Sequence, residues 1–253
     1  MRPALALLLL AAPAAASPRL VTELSQSRIE ISYRFAGAEL LVFGAIQYPG
    51  GRAPREQPGI AIVVRGPTQA VIVREKGRIA GIWANRDSMR FASVPGFYAV
   101  ATTAPVRSLL DERSAAIHEI GLRHIQFSPV ITAGEGPEKV RHFEDGLLAV
   151  RQRRGLFVEQ PEGVRITEDV LFRARIPFPS AVPVGPYRVE IHLIRNGAVV
   201  ARATAPLIVD KTGFERSVWL FAQRHSLLYG LMAVGLAMGA GLAAGTLLSR
   251  RED

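Results

Sequence analysis

The sequence predicts a mainly β protein with a helical insertion, built as a sandwich and followed by one C-terminal transmembrane helix. Three observations lead there. Apolar residues alternate with polar ones in the first and last thirds of the 253-residue chain, helical spacing occurs only between them, and a long uncharged apolar run lies near the end.

At the N-terminus, Met1-Arg2 precedes an apolar run from Ala4 to Ala16 that ends in Ala14-Ala15-Ala16 before Ser17. One positive charge, a short apolar stretch and a small-x-small site predict a signal peptide over 1–16, cleaved after Ala16. The run is too short to span a bilayer. The chain from Ser17 onward is expected to be exported to the periplasm.

Strands come next. Ile29, Ile31 and Tyr33 alternate with Arg28, Glu30 and Ser32, the period of a half-buried strand. After Ala36-Gly37-Ala38, the run Leu40 to Ile46 is apolar on both faces, as in a central strand. A Gly/Pro-rich loop over 48–59 leads to a strand Ile60 to Val64, and Gly66-Pro67 turns the chain into Ala70 to Val73.

Residues 76–165 change character. Arg78 to Trp83 and Phe97 to Thr102 read as short strands. From Pro105, a favourable first helical residue, Leu109, Leu110, Ile117 and Ile120 predict one helix ending near Gly121. Val140, Phe143, Leu147 and Val150 predict a second, stopped by Gly155.

The last third returns to β. Val170, Phe172, Ala174 and Ile176 alternate with Arg173 and Arg175, and a proline-rich connection covers 177–186. Tyr187, Val189, Ile191 and Leu193 then face one way and Arg188, Glu190 and His192 the other. Asn196-Gly197 supplies the positive-φ positions of a tight hairpin, and Ala198 to Val209 runs back. The outer pieces are expected to join into one immunoglobulin-like β-sandwich over 17–210, with an α-containing insertion at about 76–165. Two consecutive domains breaking near residue 125 are the rival arrangement.

Residues 211–225 read as a juxtamembrane helix leading into the span 226–248. That span has no charged residue, and its 23 residues reach about 35 Å as a helix, enough for a bilayer core of about 30 Å. Trp219, Phe221 and Tyr229 suit the interfacial belt, and 249–253 would be the cytoplasmic tail of a single-pass inner-membrane protein.

Zero cysteines exclude disulfides, thiol nucleophiles and Cys-ligated metal centres. Of 31 basic residues 28 are arginine, scattered along the chain, against 22 acidic ones. The expected exported body, 17–225, is +8. Outside the cytoplasm this charge favours anionic lipid headgroups, acidic partners or anionic solutes, and no nucleic acid is expected.

No nucleophile elbow, phosphate-binding loop or zincin motif is present, so the chain reads as non-enzymatic and without a cofactor. His118-Glu119 starts like a zincin helix, but Leu122 stands where the second histidine belongs. A metal-dependent hydrolase using His118, His124 and His142 stays as an alternative, which needs the second predicted helix to pack beside the first. In the span, Gly235 with Gly239 and Gly241 with Gly245 form two small-xxx-small pairs on different faces, suited to close packing against neighbouring helices. Trp83, Asn85, Arg86 and Tyr98 form the candidate recognition surface, with Trp83 and Tyr98 as ordinary core residues the opposing reading.

The signal peptide, the run from Phe35 to Gly44, Gly81-Ile-Trp-Ala-Asn85, Leu171-Phe-Arg-Ala174, Pro183 to Tyr187, and Tyr229-Gly-Leu231 in a C-terminal span together carry a resemblance. By these segments the chain resembles the uncharacterised putative transmembrane protein family of alphaproteobacteria, over nearly its whole length. That resemblance implies no catalytic residues. It implies an accessory role beside an integral membrane partner, an anion exporter of the sulfite/sulfonate type. A stand-alone anion-binding module is the further alternative.

Overall fold

The computed structural model describes residues 17–31, 36–51, 57–79, 81–131, 136–211 and 214–249. The expected signal peptide and residues 250–253 of the expected tail lie outside them.

Two sheets carry the fold. The first is antiparallel, in the order β1 (Arg19–Leu24), β3 (Gly37–Gln47), β10 (Leu171–Pro179), β9 (Val164–Thr167). The second has the order β2 (Arg28–Ile31), β12 (Ala198–Lys211), β11 (Gly185–Arg195), β4 (Gly59–Arg65), β7 (Tyr98–Thr102), β8 (Phe157–Gln160). Its centre is antiparallel and its two edge pairs, β2 with β12 and β7 with β8, are parallel.

The alternation read from sequence decides which faces meet. Leu40, Val42, Phe172, Ala174 and Ile176 of the first sheet pack on Ile62, Val64, Val189, Ile191, Leu193 and Leu207 of the second in one buried cluster. At about 1.5–3 kcal/mol per fully buried large apolar side chain, this core replaces the disulfides the chain lacks. The β11–β12 hairpin turns at Asn196 (φ 50) and Gly197 (φ 76), as predicted.

Several expectations need correction. Ala70 to Val73 belongs to a much longer strand, β5 (Thr68–Ile79), which pairs with β6 (Ile82–Pro95) as a separate two-stranded ribbon. Arg78 to Trp83, expected as a strand, contains the ribbon's turn, with Gly81 at φ 82, a left-handed position that glycine takes without strain. Within 76–165, expected as an insertion, β7 and β8 pair into the second sheet: β7 is buried on both faces, as suits a central strand, and β8 adds to it as the edge.

The helix expected from Pro105 to Gly121 is two short ones, α1 (Val106–Leu109) and α2 (Glu112–His118). Between them Leu110 turns extended and bridges to Gly197. The Asp111 carboxylate then restarts the helix by accepting from the Ser114 N–H at 2.5 Å. Ile117, placed by spacing on the apolar face, is exposed. The second predicted helix stands as α3 (Pro137–Arg153), burying Phe143 and Leu147 and ending before Gly155 at φ 65. Near the C-terminus come α4 (Phe214–Arg224) and α5 (Ser226–Ser249). The expected juxtamembrane helix starts later than 211, since Lys211 still belongs to β12.

Candidate functional site

The outer faces of the two sheets differ in what covers them. On the second sheet the residues pointing outward are Tyr98, Val100 and Thr102 of β7, Val63 and Arg65 of β4, Glu190 and His192 of β11, and Arg202 of β12. The α2 end of the helical segment closes over this row. Tyr98, fully buried, donates its hydroxyl to the Glu119 carbonyl at 2.7 Å and accepts from the Gly121 N–H at 3.0 Å. Burial pushes the Tyr98 hydroxyl far up from its usual range.

Glu190, 1% exposed, holds the centre of this face. Arg65 Nη1 donates to its Oε2 at 2.7 Å, Arg202 Nη2 donates to its Oε1, and Arg65 Nη2 also donates to the His118 carbonyl at 2.7 Å. Burial pushes the Glu190 carboxyl up, but His192, Arg65 and Arg202 outweigh it and hold the group at about 2. His192 Nε2 stands 3.8 Å from Glu190, beyond hydrogen-bond distance, and neither His192 ring nitrogen has a hydrogen-bond partner among the described residues. The His118 ring lies 5.4 Å from that of His192, and burial first, then His192, pushes His118 below its usual value. Glu119 itself is left-handed (φ 48), and that turn aims its carbonyl at Tyr98. This network clamps α2 to the sheet.

Among the described residues, the first sheet's outer face has no such cover. Val21, Phe43 and Leu171 are 51%, 39% and 54% exposed and stand side by side through the pairs Val21↔Ala45 and Leu171↔Ala45. They line a hollow of about 570 Å³ with Thr167 and Arg173. A second hollow, of about 380 Å³, adjoins it at Arg173 and is lined by Arg165, Arg175, Gln160 and Glu162. Arg165 and Arg173 are direct cross-strand partners, a repulsive pairing, and neither has an ion-pair partner among the described residues. Sequence reading identified Arg173 and Arg175 as one face of a strand. It could not place Arg165 opposite, because register between β9 and β10 is a tertiary fact.

The three histidines of the metal alternative are not brought together. His118 neighbours His192, His124 Nε2 lies 3.1 Å from Glu112, and His142 lies 3.6 Å from Glu75. Among the described residues no group of three or more His, Asp or Glu could hold a metal ion. The recognition surface also divides. Tyr98 is core, whereas Trp83, 66% exposed, stands near the ribbon's turn beside Ile82, 72% exposed. Trp83 and Asn85 share one face of β6, and Arg86 lies on the other, its side chain over Gly77.

Gly235, Gly239 and Gly241 lie in α5, where an added Cβ would meet nothing within 4 Å beyond its own helical turn among the described residues; Gly245 is in the same helix. Over the described residues no helix is long and apolar enough to cross a membrane. In α5 the side chains are described without a gap only from Ser226 to Leu242, 17 residues or about 26 Å. Residues 19–250 match the family described as Putative transmembrane protein (Alph_Pro_TM). The chain belongs to this family. No curated protein and no solved structure matches the chain. In this family member, then, the strongest site features are the uncovered face of the first sheet and the ribbon's end.

Proposed function

We propose that this protein is a non-enzymatic, membrane-anchored binding or accessory protein that docks an integral membrane partner through the uncovered face of its first sheet. In this reading 1–16 is removed on export, the sandwich lies in the periplasm, 226–248 crosses the inner membrane once, and the chain ends in the cytoplasm. Support for the span comes from family membership and from a 24-residue helix with no charged residue. The sandwich is immunoglobulin-like in this reading: the order β1-β3-β10-β9 against β2-β12-β11-β4-β7 follows the four-strand and extended sheets of that fold.

The observation that carries the docking is the apolar strip Val21, Phe43 and Leu171, left open where an antiparallel sheet facing water would carry polar residues. A photo-reactive residue in place of Phe43, in the full chain in native membranes, is expected to cross-link an integral membrane protein, with an anion exporter the first class to test. Leu171→Asp should abolish the adduct. No adduct, together with a protein that purifies alone and silent Gly239→Leu and Gly241→Leu variants, would sink the proposal.

One observation favours a second reading, anion binding without a partner. Arg165, Arg173 and Arg175 line one hollow with a single carboxylate, Glu162, and the first two oppose each other with no carboxylate paired to either among the described residues. Sulfate or phosphate should then raise the melting temperature of the isolated full chain, and the rise should vanish in Arg165→Gln.

A further inference from the structure

We infer that the end of the β5–β6 ribbon is a second membrane contact, seating Ile82 and Trp83 in the interface of a bilayer with anionic headgroups. The inference rests on the anchored topology proposed above and adds to it a site on the exported body.

Topology places the ribbon's root at the right end of the molecule. β4 and β12 are both antiparallel to β11, which lies between them, so they run in the same direction. β4 ends at Arg65 and, after Gly66-Pro67, becomes the ribbon; β12 ends at Lys211 and leads to α4 and α5. Both exits are therefore at one end of the second sheet. Pro67 lies against Gly185, whose register partner is Val209, two residues before the end of β12. Length also suffices. The 12 residues of β5 extend about 40 Å, whereas the 11 residues of α4 raise the body by about 16 Å even if upright.

Charge is partitioned along the ribbon in the sense a bilayer requires. Its two acids, Glu75 and Asp87, are cross-strand partners, and both are taken up by α3: Glu75 lies 3.6 Å from His142, and Lys139 donates to Asp87 at 2.9 Å. From Lys76 to Arg86 the sequence contains no acid. Lys76, Arg78 and Arg86 have no ion-pair partner among the described residues, and the Arg78 guanidinium lies 6.0 Å over the Trp83 ring. An exposed Ile-Trp pair ringed by unpaired cations suits the headgroup region, where indole settles and each basic residue near an anionic surface raises occupancy about fivefold. A soluble-protein turn of this kind would instead be expected to expose polar residues.

The test uses the full chain in lipid nanodiscs. Trp219→Phe leaves Trp83 as the sole tryptophan, since the chain has two. Discs of phosphatidylcholine alone are compared with discs of equal parts phosphatidylcholine and phosphatidylglycerol, each containing lipid spin-labelled high on the acyl chain. Trp83 fluorescence is expected to be quenched in the anionic discs, several-fold less in the neutral ones, and back to the level of unlabelled discs in an Arg78→Glu, Arg86→Glu variant. Absence of quenching in anionic discs overturns the inference, as does quenching that ignores phosphatidylglycerol or Trp83 shielding that appears only with a bound protein partner. Failure of the chain to incorporate into discs at all would instead defeat the anchor reading. Incorporation with Trp83 left in water defeats only this one.

Discussion

At the residue scale, the polar side of β11 shows how much burial changes the meaning of a letter. Arg188, Glu190 and His192 read as the polar face of a strand, yet Glu190 and His192 are 1% exposed, because α2 closes over them. Glu190 is held at about 2, below the value near 4.5 that it has in an unfolded chain. The unfolded state therefore binds its proton more readily, so the stabilisation is complete above about pH 4.5 and lost as pH falls toward 2. Melting temperature measured across that window should drop for the native chain and drop less for Glu190→Gln, which begins from a lower plateau. Tyr98→Phe is expected to cost about 1–3 kcal/mol in denaturant unfolding. It takes the Tyr98 hydroxyl from the Gly121 N–H and leaves the Glu119 carbonyl only the longer bond from Arg65 Nη2 at 3.3 Å, both inside the same clamp.

Elements behave differently from residues, because their existence was legible and their neighbours were not. The alternation in β10 and β11, the Asn196-Gly197 hairpin and α3 all follow from local periodicity and turn chemistry, whereas β3, read as apolar on both faces, buries one face only and leaves Phe43 on the other. The ribbon did not, since its two strands resemble ordinary half-buried ones and only their pairing with each other sets them apart. The helix from Pro105 broke where a bridge between Leu110 and Gly197 competed with the local apolar spacing. Gly44 in β3 is a test at this scale. A Cβ there would fall inside contact distance of the Val21 carbonyl and 2.5 Å from Phe172 Cζ. Gly44→Ala should cost about 3 kcal/mol by overpacking, read as a lower denaturation midpoint with an unchanged slope.

For the whole molecule, the body and α5 are expected to respond independently to mutation. Among the described residues, a Cβ added at Gly239 or Gly241 meets nothing within 4 Å beyond its own helical turn. Gly239→Leu and Gly241→Leu should therefore leave the melting of the body unchanged, within about 0.5 kcal/mol, and act only on association with a partner. A fall in the body's melting temperature in these variants would mean that α5 packs against it.

The sequence by itself determined the class of fold, most of the strands, the helix α3 and the apolar C-terminal run, because each of these is a periodic or compositional signal contained in a short window. It also determined that His118-Glu119 does not open a zincin helix, because Leu122 stands where the second histidine belongs. Only the tertiary structure decided which polar faces are buried, which arginines oppose each other, and that Trp83 and Tyr98 are far apart in role, one exposed at a ribbon's end and the other locked in the core. These are matters of register and cover. A strand's alternation specifies two faces and leaves open what lies across from each, and that is settled by pairings between residues as far apart as Arg65 and Glu190.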